Sequence, residues 1–408
     1  MRTTPAVSIT KTIFTSESLQ DPYPVYANLC AEGPIHHVQF NGPRWALVRH
    51  SECSTLLRDP RLAASGRIRP VLLQLPADIR PEFAALERML GMWMLLLDAP
   101  QHTRLRKLMN KGFAPRVVAS LRDQVAAIVD EMVGPLAQAE QIDIVRDVAY
   151  PLPVRVIAHM LGMPTAMQEQ CIDWTNAIAD LFGSPITVDT ARAAQDAANA
   201  LTCFFREIVT ERRRNRGNDL ISLLIDIEED GEVLTEEELY AQCVMLLFGG
   251  HETTRNLIGN GMYTLLKNPQ AMTEIRDNPE IIRTAVEELL RYESPVQFIS
   301  RVAKEEIEVA DVHIQAGENI MFLLGAANRD PRQFERPDRL NLRRLKNDHL
   351  SFGAGVHFCI GNLLGRLEGQ IAILKLLQKF PRMRLTVERP EWAPNFAIRG
   401  LKTLSVAV

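Results

Sequence analysis

The sequence predicts a mainly α-helical fold with a minor β region. Three observations carry that expectation. Apolar residues recur at a spacing near 3.6 through most of the middle of the chain. One capped helical pattern runs unbroken from Thr235 to Lys267. Alternation of apolar and polar residues, the mark of a half-buried strand, is confined to short stretches.

In chain order, residues 17–33 contain Asp21-Pro-Tyr-Pro24 and then a helical pattern that ends before Gly33-Pro34. Residues 36–49 alternate as a short strand pair. The stretch from Leu62 to Leu95 mixes prolines and apolar residues without a clean period. A long, partly helical loop is expected there, of the kind that walls or covers a pocket. Residues 116–138, 149–162 and 168–183 carry helix spacing. The next helix, over 189–216, ends in Arg212, Arg213, Arg214 and Arg216, followed by Gly217. Cations in a last turn with glycine after it are a helix stop. The basic run is expected to be a solvated helix end.

Thr235-x-x-Glu238 is a capping box opening the long helix. At about 1.5 Å per residue this helix would be roughly 50 Å long, so it has to cross the core. It stops at Asn268-Pro269. Residues 279–292 form another helix. Residues 305–320 alternate as strands with a turn at Gly317, and the C-terminal residues form strands around a turn at Pro390–Pro394.

The 408 residues are 46% hydrophobic, enough for a large core. Length alone would allow two or three domains. No Pro/Gly/Ser-rich linker, charge block or internal repeat divides the chain, so one domain over 1–408 is expected. A net charge of −4 argues against a nucleic-acid partner. No apolar run approaches the roughly 20 residues that span a bilayer. The start, MRTTPAVSITKTIF, lacks the apolar core and cleavage site of a signal peptide. Cys30, Cys53, Cys171, Cys203, Cys243 and Cys359 are scattered, which fits a reducing cytoplasm. A cytoplasmic protein with no membrane contact is expected.

Residues 352–361 read Phe-Gly-Ala-Gly-Val-His-Phe-Cys-Ile-Gly. A single cysteine stands in a glycine-rich turn, just ahead of a helix-compatible stretch. Glycines let the backbone turn tightly and approach closely. Such a turn would hold one thiolate against a flat metal cofactor, and on haem iron a thiolate favours O–O cleavage. Most lone cysteines are small buried hydrophobes, but that leaves the glycines, Phe352 and His357 unexplained. A dinucleotide loop would need a third glycine where Phe358 stands. A zinc site would need further ligands, and c-type haem attachment would need Cys-x-x-Cys-His; neither is present.

Inside the long helix stands Gly249-Gly250-His251-Glu252-Thr253-Thr254. Two mid-helix glycines cost roughly 1 kcal/mol each relative to alanine. Close helix packing or function would offset that cost. The adjoining carboxylate and hydroxyl favour function, since together they can hold water and pass protons. Glu288-Leu-Leu-Arg291 places opposite charges three residues apart on one helix face.

The decapeptide resembles the cysteine-ligand loop of the cytochrome P450 family at Phe352, Gly353, Gly355, His357, Cys359 and Gly361. Residues 249–254 resemble that family's oxygen-activation segment, and the matches span Asp98 to Gly361. The resemblance implies a single, triangular, mainly α domain. Haem b would lie between the long helix and the helix after Cys359. Cys359 would be the iron ligand, with amides at Ile360 and Gly361 donating to its sulfur.

Gly249 and Gly250 would leave room for O2; glycine at 249 is a mild departure from the family's usual alanine. Thr253 would hold dioxygen and an ordered water, and Glu252 would belong to the proton path. His251 occupies a variable position and is expected to be structural or solvent-linked. Glu288 and Arg291, with Arg339, would lock their helix to the loop ahead of the cysteine. Haem propionates need cationic donors, and His102, Arg106, Arg301 and His357 stand at the family positions. The substrate pocket would be lined by Met92, Trp93, Ala179, Phe182, Leu246, Gly250, Val296, Phe298, Phe396 and Ala397.

The implied reaction inserts one oxygen atom of O2 into a C–H or C=C bond of a hydrophobic small molecule of secondary metabolism. Polyketide or macrolide, terpenoid and fatty acyl substrates all fit, including carrier-protein-bound ones. Electrons would come from a separate ferredoxin or flavodoxin with an NAD(P)H reductase, docking near Arg104, Lys107 and Lys111. A monomer is expected. Oxidative coupling or peroxide-driven oxidation is the alternative use of the same haem. A non-enzymatic haem sensor is a further alternative, but no output module is visible in the sequence.

Overall fold

A computed structural model describes residue 11, residues 13–229 and residues 234–408. Helices dominate, and the long helix Glu236–Leu266 is their axis. It packs on Pro151–Met160, Gln168–Gly183, Val188–Arg214, Ile282–Tyr292 and Asn362–Lys379. It is apolar nearly all round because neighbours cover it on every side. Its start follows the capping box: Glu238 N donates to Thr235 Oγ1 at 3.2 Å, and Thr235 N donates to Glu238 Oε2 at 2.9 Å. Glu236, Glu237 and Glu238 in the first turn complement the helix dipole. Pro269 then opens the next helix, Pro269–Asp277.

Several boundaries differ from the sequence reading. Residues 116–138 form two helices, Pro115–Ser120 and Arg122–Val133, and a 3-10 turn, Pro135–Gln138. Ser120 Oγ bonds back to Val117 O at 2.7 Å, closing the first helix locally. The helix expected over 149–162 is Pro151–Met160, entered through a π turn at Val145–Ala149. The stretch 62–95 is more ordered than a loop. It holds the helices Arg69–Leu72 and Ala84–Gly91 and two 3-10 turns, and it buries Phe83, Leu86, Leu90 and Trp93.

The helix Val188–Arg214 ends on Asn215 in an extended conformation, so Gly217 is not its cap. The basic run is also not simply solvated. Arg212 Nε binds Asp219 Oδ2 at 2.5 Å and Arg216 Nε binds Asp226 Oδ1 at 2.7 Å. These pairs hold the helix to Leu220–Glu229, an element the sequence reading missed.

The main sheet runs, in order, Ile35–Gln39, Pro43–Leu47, Asn319–Leu323, Phe298–Ala303 and Leu62–Ala63. Phe298–Ala303 was not anticipated. It pairs antiparallel with Asn319–Leu323, while Pro43–Leu47 pairs parallel with that same strand. Ile307–Val309 and Val312–Ile314 form a two-stranded ribbon. The C-terminal strand Ser405–Ala407 joins Gln141–Asp143 and Arg384–Leu385. No helix among the described residues is long and apolar enough to cross a membrane.

Glu288 and Arg291 are fully buried. Two parallel bonds of 2.8 Å join them, Nη2 to Oε1 and Nε to Oε2. Arg291 Nη1 also donates to Asn328 O and Pro337 O, each at 2.9 Å. The helix is thereby tied to the segment that leads to the cysteine loop. The third cation is Arg344, whose Nε reaches Glu288 Oε2 at 2.9 Å. Arg339, expected in that role, is exposed.

Candidate active site

The cysteine loop is shaped by two left-handed glycines, Gly353 at φ 69° and Gly355 at φ 72°. A Cβ on Gly355 would stand 2.6 Å from Leu57 O, so the position excludes any side chain. Cys359 N donates to Phe352 O at 2.9 Å and closes the loop. Asn362 Nδ2 donates to Cys359 O at 2.8 Å where the helix Asn362–Lys379 begins. The sulfur faces a cavity of about 350 Å³. Burial raises the thiol, while the Gly361 N–H bond and the charges of Arg106 and Arg366 oppose that rise. Arg366 lies 4.3 Å over the Phe352 ring and grips Glu287 with bonds of 2.6 and 2.9 Å.

His102, Arg106, Arg301 and His357 all line the same cavity as Cys359. The His102 and His357 rings stand 4.1 Å apart. Burial and the surrounding cations push His357 down to about 3 and lower His102 as well. His102 Nε2 is buried without a partner among the described residues. Arg301 is 4% exposed, and its side-chain bond is to Ser300 O at 2.8 Å. The nearby acid, Asp98, is occupied by Ser65 and the amides of Ala64 and Ser65.

Buried cations beside an orphaned imidazole nitrogen need anionic oxygens, and haem carries them in its propionates. No cluster of three His, Cys, Asp or Glu among the described residues could hold a bare metal ion. A metal whose other ligands come from a macrocycle fits a lone thiolate. The residues present therefore fit haem.

Across the cavity lie Leu246, Gly249, Gly250 and Thr253. The two glycines divide the roles the sequence left open. A Cβ on Gly249 would meet nothing within 4 Å, so this glycine leaves open space. A Cβ on Gly250 would press on Ile157 at 3.3 Å, so this one serves packing against Pro151–Met160. Thr253 Oγ1 donates to Gly249 O at 3.0 Å. Glu252 is not in the cavity wall. Its Oε2 is buried without a partner among the described residues. Burial and Asp180 lift its carboxyl to about 7 against the pull of Arg255. His251 is buried edge-on to the Tyr150 ring, and burial with Arg255 pushes it down to about 3, so it stays neutral.

Of the expected pocket residues, Phe182, Leu246, Gly250, Val296, Phe298 and Ala397 line the cavity, and Met92, Trp93, Ala179 and Phe396 do not. Trp93 is fully buried behind the wall, with its ring 6.2 Å from Phe182 and 5.0 Å from Phe248. Gln242 sets this register: its Oε1 accepts from Met94 N at 3.0 Å and its Nε2 donates to Met92 O at 2.6 Å. The wall is then made by Met94 and Leu95. Likewise Leu181 lines the cavity beside the expected Phe182, in place of Ala179. Phe396 packs 5.3 Å from Phe14, and Ile398 joins the expected Ala397 in the cavity wall. Arg104, expected in a docking patch, is ion-paired with Glu238.

Three charged lining residues were not anticipated: Arg44, Arg67 and Glu368. Glu368 is buried with an orphaned Oε2, and burial keeps its carboxyl well above the usual range. A signal for Arg44 was available. It falls in phase with Ala46 and Val48, on the inward positions of an alternating strand.

A profile of the family described as Cytochrome P450 matches residues 71–391. The chain is 38% identical to "Cytochrome P450 107B1" of Saccharopolyspora erythraea, over 95% of each chain. It is also 38% identical to "Cytochrome P450 monooxygenase PikC" of Streptomyces venezuelae, over 95% of this chain and 91% of that one. Among solved structures, P450BioI in complex with a hexadec-9Z-enoic acid ligated acyl carrier protein superposes with a TM-score of 0.90. It is 36% identical, over 97% of this chain and 100% of that one. Fold, cysteine loop and relatives agree: the chain is an oxygen-incorporating oxidoreductase and belongs to the cytochrome P450 family.

Proposed function

We propose that the chain binds haem b through Cys359 and hydroxylates or epoxidises a hydrophobic small molecule of secondary metabolism. One observation carries this reading. The Cys359 sulfur, two arginines, two imidazoles and the thinned helix at Gly249 all face one cavity. When bound, haem supplies the iron at which O2 is activated. Cys359 is its ligand, and the Gly361 N–H tempers the sulfur's charge. His102, Arg106, Arg301 and His357 hold the propionates. Gly249 leaves space for O2. Thr253 orients a proton toward it, and Glu252, poised near neutrality, resupplies that proton from the far side of the helix.

The apolar wall of Ile68, Val71, Leu181, Phe182 and Phe298 excludes water and orients an apolar substrate. A relative bound to an acylated carrier protein supports a carrier-bound substrate as one option. Residues 1–408 are read as one domain, working in the cytoplasm. A ferredoxin or flavodoxin with an NAD(P)H reductase delivers electrons at the outer face of the cysteine loop. Val356 and Phe358 are exposed there, and Arg106 Nη2 holds Phe358 O at 2.7 Å.

The test is spectral. The dithionite-reduced, CO-bound protein should show the red-shifted band of thiolate haem, and Cys359→His should lose it. A band that survives the substitution overturns the ligand assignment. A low-to-high-spin titration against natural-product panels then ranks substrates.

A further inference from the structure

We propose that Arg44 is a substrate-selecting residue that recognises a carboxylate carried at the end of an apolar body. The inference rests on the haem-thiolate reading for the place of reaction and narrows its substrate class.

Arg44 follows the tight turn Asn41-Gly42, where φ is 46° and 95°. It begins the inward run of the strand Pro43–Leu47 and lines the cavity at 7% exposure. It does not belong to the propionate clamp. Strand alternation puts it on the face of Ala46, which packs with Phe40, Phe298 and Met321. Arg301 pairs through Ile320 to Trp45, and Ile320 and Trp45 pack in the cluster on the opposite face.

The guanidinium is held in place by its own turn. Its Nε donates to Phe40 O at 2.6 Å and its Nη2 to Asn41 O at 3.4 Å. The turn is itself anchored, because Asn41 Nδ2 donates to Ser184 O at 3.1 Å at the end of the helix Gln168–Gly183. No carboxylate among the described residues forms an ion pair with Arg44, and its charge acts on another cation, Arg67. Burial alone already disfavours its charge.

A buried cation without a counter-ion is costly, and a ligand that supplies one recovers that cost. The surrounding wall of Phe40, Ile68, Val71, Phe298 and Ile398 is apolar. One guanidinium matches a monoanion, and its planar fork matches a carboxylate. An acyl chain held as a thioester lacks that charge and should behave as an ester does.

The experiment is calorimetric titration of the holoenzyme with dodecanoic acid, methyl dodecanoate and dodecanol. The acid should bind ~10–100-fold more tightly than the ester, the gain expected of a hydrogen bond between charged groups. In Arg44→Gln the acid and ester should bind within about threefold of each other, with ester affinity unchanged. Arg44→Lys should keep part of the preference and guards against misfolding. Equal binding of acid and ester by the wild type, or a wild-type ratio retained in Arg44→Gln, overturns the proposal. The reduced CO spectrum of the same samples reports on the haem separately. A missing thiolate band with an intact acid preference would overturn the haem reading and leave the role of Arg44 standing.

Discussion

Glu252 sits beside Thr253 with one carboxylate oxygen buried and unpartnered among the described residues, and burial lifts its carboxyl to about 7. In the unfolded chain the same group titrates at the ordinary 4.5. Between those values the native state holds the extra proton. The contribution of Glu252 to stability therefore falls as pH rises through that window. Glu252→Gln should flatten this part of the curve, which urea midpoints near pH 5 and near pH 8 will show. The same substitution should slow turnover by ~100-fold, the loss expected when a positioned proton donor is removed. An unchanged rate would place proton entry elsewhere. Among the described residues, the Thr253 side chain is bonded only within its own helix, to Gly249 O. Thr253→Ala should keep O2 consumption while diverting it to hydrogen peroxide, measured as peroxide released per NAD(P)H. Full coupling in that variant would remove Thr253 from the relay.

At the scale of elements, the cysteine loop and the long helix were legible because their signals are local. A glycine with positive φ, a capping box and a helix-ending Asn-Pro act within a few residues of themselves. Gly355→Ala tests the loop. The left-handed backbone alone costs about 1–2 kcal/mol, and the clash with Leu57 O adds to it. Haem retention after gel filtration should drop, and full retention would show that the loop can relax. Gly249→Ala should instead gain about 1 kcal/mol of helix stability, since its Cβ meets nothing; thermal melting will tell. The break at Leu121 and the strand Phe298–Ala303 were not legible. A strand whose partners are Asn319–Leu323 and Leu62–Ala63 is defined by distant residues, and no local pattern carries that pairing.

Across the whole molecule, a buried ion network joins the helix Ile282–Tyr292 to the cysteine loop. Arg291→Ala would leave the Glu288 carboxylate buried with Arg344 as its remaining cation. A loss of ~3–5 kcal/mol is expected, the cost of breaking a buried pair, read from urea unfolding of the holoenzyme; a change under ~1 kcal/mol would mean that Arg344 compensates. Glu287 adds an acid limit. Burial would raise its carboxyl, but hydrogen bonds from His349 and Arg366 outweigh that and hold it near 2. Its contribution is complete above the ordinary 4.5 and disappears as pH falls toward 2.

The chemistry of this protein was written in short stretches of sequence. The proposed thiolate ligand and proton relay, like the buried pair of opposite charges, each need particular residue types at close spacing, as at Cys359, Glu252-Thr253 and Glu288–Arg291. The pocket wall was decided only in three dimensions. In aperiodic stretches such as 62–95, packing chooses which neighbour faces inward. Here Gln242 holds the backbone so that Met94 and Leu95 face the cavity while Trp93 turns into the core. The same holds for Arg44: its charge is plain in the sequence, but its burial in the cavity wall, with no carboxylate partner among the described residues, is set by the fold.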